Sequence, residues 1–114
     1  MATPLDVRTD RGADGIARVV AAGEIDLSNV EVFSRALRAA RDGDQRSRAE
    51  VLVDLSGVKY LDSAAINVLF THADDVEHLH LIVHPFLMPV LTISGLGEIA
   101  TVESAPAAVR DPEA

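Results

Sequence analysis

The sequence predicts one small α/β domain built around a mostly parallel β-sheet, and three observations carry that prediction. Val51, Leu52 and Val53 run without polar alternation, the pattern of a strand covered on both faces between helices. Apolar clusters of strand period and helical period follow one another in the order ββαβαβαβ. That order calls for a small sheet, largely parallel after an opening hairpin, with right-handed crossovers. The chain has 114 residues, 48% of them apolar, enough for one packed core and too few for two domains of ordinary size. Residues 1–114 are therefore read as a single domain, with a tail that frays from about residue 104.

The elements follow in order. "LDVRTD" alternates Leu5, Val7 and Thr9 with Asp6, Arg8 and Asp10, and "IARVVAA" follows the two glycines of "RGADG", so a β-hairpin is expected over about 5–22. Ser28 with Glu31 reads as a capping box, and Val30, Phe33, Leu37 and Ala40 share one face of a first helix, Asn29 to Asp42, that stops near Gly43. "DQRSRAE" is a polar loop before a central strand over about 50–55, which Ser56 and Gly57 end. Apolar residues at 65, 66, 69, 70 and 73 keep a helical period, so a second helix starts at or beside Ser63. "HLHLIV" is a fourth strand. Pro85 opens a third helix that Pro89 makes short or kinked and that Ser94 and Gly95 stop. "IATV" is the last strand, and "ESAPAAVRDPEA" forms one helical turn before fraying.

Composition excludes several functions. There is no cysteine, which removes disulfides, thiolate metal sites and thiol catalysis. The formal net charge is −8, which argues against DNA or an anionic membrane as the main partner, because phosphate binding depends on Lys and Arg. Arg35, Arg38, Arg41, Arg46 and Arg48 form a local basic stretch, read as a solvated helix face running into a loop. No apolar run approaches the ~18 residues of a membrane-spanning helix. "MATPLDVRTD" lacks the basic-then-apolar layout of a signal peptide, so the expected location is the cytoplasm.

The residue that draws attention is Ser63, which follows Asp62 at the mouth of an apolar helix. Free amides and the helix dipole favour negative charge there, and a phosphate on Ser63 would add about −1.5 to −2 charges. The plainer reading is that Asp62 or Ser63 caps the helix. A serine nucleophile is disfavoured, because "LDSAA" lacks the glycines of a G-x-S-x-G elbow. His78, His80 and His84 share parity, as metal ligands spaced H-x-H can; His84 precedes Pro85 and belongs to the turn, so strand and loop histidines without a metal are expected. Asp54 sits where a receiver domain has its phosphate-accepting aspartate, but the acidic pair and the late lysine are missing; the one lysine is Lys59, and Asp54 is expected to bond a nearby amide. No Gly-rich phosphate loop of the G-x-x-x-x-G-K kind is present, and no cofactor is expected.

"GEID" ahead of the first helix, "VLVDLSGVKYLDSAAINVL" and "HPFLMPVLTISGL" together resemble the STAS domain of bacterial anti-sigma factor antagonists. The likeness runs from about Val19 to Val102. Its specific part is the central block, a strand ending in D-L-S-x-V, then aromatic or apolar residues, then D-S. The resemblance implies the STAS fold, whose topology is the one derived above from pattern. It also implies a partner switch: an anti-sigma factor that is a serine kinase sequesters a sigma factor, and the unphosphorylated antagonist binds that kinase and frees the sigma factor. Phosphorylation ends the binding and a serine phosphatase restores it. Carried over by motif, the phosphorylated serine is Ser63, and the partner-binding set is Asp26 of "GEID", Asp62, Ser63, Ala64 and Ala65. The chain would then be a non-enzyme, a kinase substrate, monomeric when free, with no direct contact to DNA or membrane. Membrane transporters that carry STAS domains place them after a long apolar region, which this chain lacks.

Departures from the family pattern are Ala65, where a glycine is common two places after the serine, the short "THADDVEHLHL" stretch with Asp74, Asp75 and Glu77 near a helix end, and Met88 and Pro89 where charged residues are frequent. They leave a rival reading, a STAS module that binds a protein without being phosphorylated, and a distant third, a metal enzyme using the histidines.

Overall fold

The computed structural model describes residues 4–43 and 50–106. Gly12 and Gly15 reverse the chain between β1 (Leu5–Arg11) and β2 (Ala17–Ile25): Gly12 N donates to Ile16 O at 3.0 Å, and Gly15 takes φ 83°, a region open to a residue without Cβ. The hairpin is antiparallel and runs three residues past the expected end, with Asp10 and Arg18 paired directly opposite each other and bonded at 2.8 Å. Parallel to β2 lie β3 (Glu50–Leu61), β4 (His78–Val83) and β5 (Thr101–Ser104), in the spatial order β1-β2-β3-β4-β5. The connections carry α1 (Val30–Arg41), α2 (Ser63–Asp75) and α3 (Met88–Ser94). The predicted element order and mixed, mainly parallel sheet are thus those of the structure.

The sheet departs from expectation in being covered on one face. Val51, Val53 and Leu55 are fully buried with Val19, Leu79 and Leu81, and they form one core with Phe33 and Leu37 of α1, Leu69 of α2 and Leu91 of α3. Each such aliphatic or aromatic side chain stabilises the fold by about 1.5–3 kcal/mol through burial. The alternate residues, Leu52 among them, are half-buried. Leu52 tolerates that face because the register sets it between Arg18 of β2 and His80 of β4, whose long side chains shield it. An unbroken apolar run therefore marked a strand with one dry face and one partly shielded face.

Ser56 and Gly57 do not end β3. From Val20↔Asp54 to Ala22↔Gly57 the partner strand advances two residues and β3 three, and from Gly23↔Val58 to Glu24↔Tyr60 it advances one and β3 two. Each jump is a bulge, which bends the strand and keeps it paired to Leu61. Gly57 fits the bend because a Cβ there would sit 3.0 Å from Ala22 Cβ. Asp54 Oδ1 accepts from Ser56 N and Ser56 Oγ at 2.9 and 2.7 Å, the amide role expected of it.

Pro85 opens a 3-10 turn, Pro85–Leu87, and Pro89 falls in the first turn of α3, where its missing amide has no helical acceptor to leave unpaired. The third helix is thus short, and Gly95 stops it at φ 86°. A further 3-10 turn, Leu96–Glu98, uses residues expected to lead straight into a strand, so β5 starts two residues later than "IATV". Glu103 and Ser104 belong to β5 and Ala105 N bonds Val83 O at 2.8 Å; the rest of the expected tail turn, from 107, lies outside the described residues. In the basic stretch, Arg35 and Arg38 are exposed, whereas Arg41 reaches across to Asp75 of α2 at 2.6 Å; Arg46 and Arg48 lie outside the described residues. Among the described residues no helix is long and apolar enough to cross a membrane.

Candidate functional site

β3 delivers its last residue, Leu61, into the core, and Asp62 then turns the chain in extended conformation (φ −106°, ψ −173°) so that α2 begins at Ser63. The Asp62 carboxylate caps the helix: Oδ1 accepts from Ala64 N at 3.0 Å and Ala65 N at 3.2 Å, two amides that no preceding turn can satisfy. Its other oxygen, Oδ2, accepts from Leu27 N at 3.1 Å, and its backbone N donates to Ile25 O at 3.2 Å. Asp62 therefore does two tasks, closing the helix mouth and fastening to it the loop that leaves β2.

That loop is shaped by Asp26. Its Oδ1 accepts from Ser28 N at 2.9 Å and Ser28 Oγ at 2.6 Å, and its backbone O accepts from Asn29 N and Val30 N at 3.1 and 2.8 Å. Asn29 returns the contact, with Oδ1 accepting from Asp26 N and Nδ2 donating to Glu24 O. The expected capping box of Ser28 with Glu31 is not what starts α1: Asn29 is the residue ahead of the helix and makes no side-chain cap bond. Ser28 is turned back onto Asp26, because an aspartate two residues earlier offers a charged acceptor. The tip of this loop is Leu27, 78% exposed.

Ser63 is exposed, and its hydroxyl makes no hydrogen bond to the described residues. Asp26, Asp62 and Ala64 are half-buried around it, joined through the Asp62–Leu27 bond. Ala65 is the exception in the expected binding set. It is fully buried in the core, so it meets no partner surface, and its methyl group serves packing. Sequence reasoning passed over Leu27, whose signal was a lone large apolar residue between acidic and polar neighbours in a loop.

The three histidines do not come together. His84 precedes the 3-10 turn and its Nδ1 accepts from Phe86 N at 3.1 Å, with the two rings 4.5 Å apart, whereas His78 and His80 stay on β4. The fourth histidine, His72, is a core residue of α2. Its Nε2 is buried without a hydrogen-bond partner among the described residues, and burial, assisted by the nearby Arg41 guanidinium, lowers its pKa from 6.5 to about 4. It is neutral at pH 7, and its place was legible in the helical spacing Ala65, Leu69, His72.

No curated protein sequence matches the chain. Solved structures do. An anti-sigma factor antagonist from Mycobacterium paratuberculosis superposes with TM-score 0.76 at 19% identity over 90% of each chain. The Bacillus cell fate determinant SpoIIAA in its phosphorylated form gives 0.64 at 17% identity, covering 90% of this chain and 93% of that one. A putative anti-sigma factor antagonist from Thermotoga maritima gives 0.64 at 15% identity, covering 90% and 89%. These likenesses concern the fold. The family model described as "Mlab, STAS domain" matches residues 9–101, which takes in the hairpin from Thr9 onward, the bulged β3, the Asp62 cap and Ser63. With the expected topology present and most of the chain matched, the protein belongs to the STAS domain family.

Proposed function

We propose that the protein is an anti-sigma factor antagonist that works as a phosphorylation-controlled binding protein, not as an enzyme. Its unphosphorylated form binds an anti-sigma factor that is also a serine kinase and so frees a sigma factor; phosphate on Ser63 ends the binding, and a serine phosphatase restores it. It acts in the cytoplasm, as a monomer when free.

The observation that carries this reading is the exposed, unbonded Ser63 hydroxyl on a helix mouth whose amides Asp62 already holds. A kinase reaches such a hydroxyl without unfolding anything. The added phosphate, about −1.5 to −2 charges, cannot take the Ala64 and Ala65 amides without displacing a carboxylate, so it stands outward beside Asp62. Charge of one sign then accumulates where a partner must approach, next to apolar Leu27, and desolvating it opposes binding. The unmodified form must bind the partner better by a few kcal/mol for the modification to move the population appreciably.

Intact-mass spectrometry with site mapping, after incubation with candidate anti-sigma kinases and Mg-ATP, tests the reading. One phosphate mapped to Ser63 and absent from Ser63→Ala is the expected result, with Ser63→Ala binding constitutively and Ser63→Glu binding at least about tenfold more weakly. Complex formation with no phosphate transfer would replace this reading with a constitutive STAS adaptor. The description of the matching family model, which names Mlab and not the antagonists, is the observation that keeps that second reading in view.

A further inference from the structure

Glu50, His78 and His80 lie at the end of the sheet remote from Ser63: Glu50 opens β3, whereas Ser63 follows its last residue. The register sets Glu50 beside His78 and Leu52 beside His80, and residues two apart on a strand share a face. All three side chains therefore project from the open face, where no core residue competes for them. One ligand atom from each lies within 4.8 Å of the others.

We propose that Glu50, His78 and His80 form a binding site for one divalent transition-metal ion, with Zn2+ the best match. The donor set is the first reason. Two imidazoles and a carboxylate suit zinc, whereas calcium and magnesium take oxygen ligands. The geometry is the second. With metal–ligand distances of about 2.0–2.2 Å, tetrahedral ligand atoms sit roughly 3.5 Å apart. Closing the cluster from within 4.8 Å to that spacing calls for side-chain rotation, for which the exposed His78 and the half-buried Glu50 and His80 have room.

The surroundings of the rings are the third reason. His80 Nε2 is hydrogen-bonded to the Glu103 carboxylate, and Thr101 Oγ1 lies 3.3 Å from His78 Nε2. Both partners come from β5; with Nε2 so engaged, each ring would offer Nδ1 to the ion, and an oxygen on the other ring nitrogen is the usual device that orients a metal-binding imidazole. Three protein ligands leave a coordination position for water. The ion would clamp the starts of β3 and β4 and, through the ring partners, the edge strand β5. Histidines without a metal were expected because His84 belongs to the turn, which is where the structure has it; the third ligand is instead Glu50 of the adjacent strand, a residue that only the register brings near.

Titration of ZnCl2 into the chelator-stripped protein, followed by calorimetry and thermal unfolding, tests this. Expected are saturable binding of one ion per chain, a Tm rise of at least about 4 °C with zinc in excess, and no comparable binding of Ca2+ or Mg2+. His78→Ala/His80→Ala should lose both effects while keeping the wild-type circular dichroism spectrum, and His84→Ala should keep them. Glu103→Gln should weaken binding by about 10–100-fold. Absence of saturable zinc binding by the wild-type chain, or equal binding by the double variant, would overturn the assignment.

Discussion

Replacing His72 with leucine should flatten the acid side of the stability curve. The ring is 3% exposed, its Nε2 has no partner, and its pKa falls from 6.5 to about 4 in the fold, with burial the main cause, Arg41 adding to it and Asp75 and Asp42 opposing it. The folded form thus resists a proton that the unfolded chain accepts. Stability from the neutral ring is fully present above the unfolded pKa and is lost as pH falls from about 6.5 toward 4. The loss works out at about 2 kcal/mol by pH 5 and about 3 kcal/mol by pH 4, a large part of the 5–15 kcal/mol that holds a typical domain together. Urea unfolding of both proteins at intervals from pH 7.5 to 4 measures it. His72→Leu should match or exceed wild type at pH 7, since it removes an orphaned buried nitrogen, and should gain on it steadily below pH 6.5. Parallel curves for the two proteins would refute the argument, because the carboxylates common to both cancel in the difference.

Asp62→Ala leaves the Ala64, Ala65 and Leu27 amides without their acceptor and should cost about 1–3 kcal/mol, with Asp62→Asn costing less; an unchanged urea midpoint would show that water replaces the cap without loss. Gly23→Ala should be destabilised by at least about 1 kcal/mol, because φ is 111° and the new Cβ would stand 2.4 Å from Pro4 O; thermal unfolding at the wild-type Tm would contradict the geometry. Ala65→Gly brings in the glycine that the family resemblance leads one to expect, but should destabilise by about 1–2 kcal/mol, since it loses a buried methyl group and helix propensity. A more stable glycine variant, by denaturant titration, would mean that the fold strains to hold the methyl group.

How much of this was legible depended on whether local chemistry or long-range register decided the outcome. The hairpin, the existence of the three helices, the sequence order of elements and the start of α2 at Ser63 all follow from glycine, proline and periodicity signals within a few residues. The Ser28–Glu31 box failed for a local reason that the sequence contained, a stronger acceptor in Asp26. The end of β3 failed for a non-local one. Serine and glycine normally stop a strand, but here β2 and β3 curve together, and Ser56–Gly57 make the bend without breaking the pairing. Burial of Ala65 follows from helix phase, since 65, 69 and 72 point into the core while 63 and 67 point away. The Glu50–His78–His80 set was out of reach, because spacing along one strand says nothing about its neighbour.

The two ends of β3 divide the demands on the fold. At the carboxyl end the strand stops inside a tied corner, where one aspartate fastens both the helix mouth and the β2–α1 loop; the proposed phosphorylation of the serine beside it would leave the corner intact, because among the described residues no bond of the corner passes through its hydroxyl. A switch that relied on Ser63 itself as the cap would couple every phosphorylation to a loss of helix stability. In the proposed switch the cap and the phosphorylated group would be adjacent but separate residues, so the charge on Ser63 would act on the partner while Asp62 keeps the surface in shape. The sheet's open face at the amino end shares no side chain with that corner. A ligand gripping Glu50, His78 and His80 would therefore tighten the strands that present the proposed switch without entering its interface.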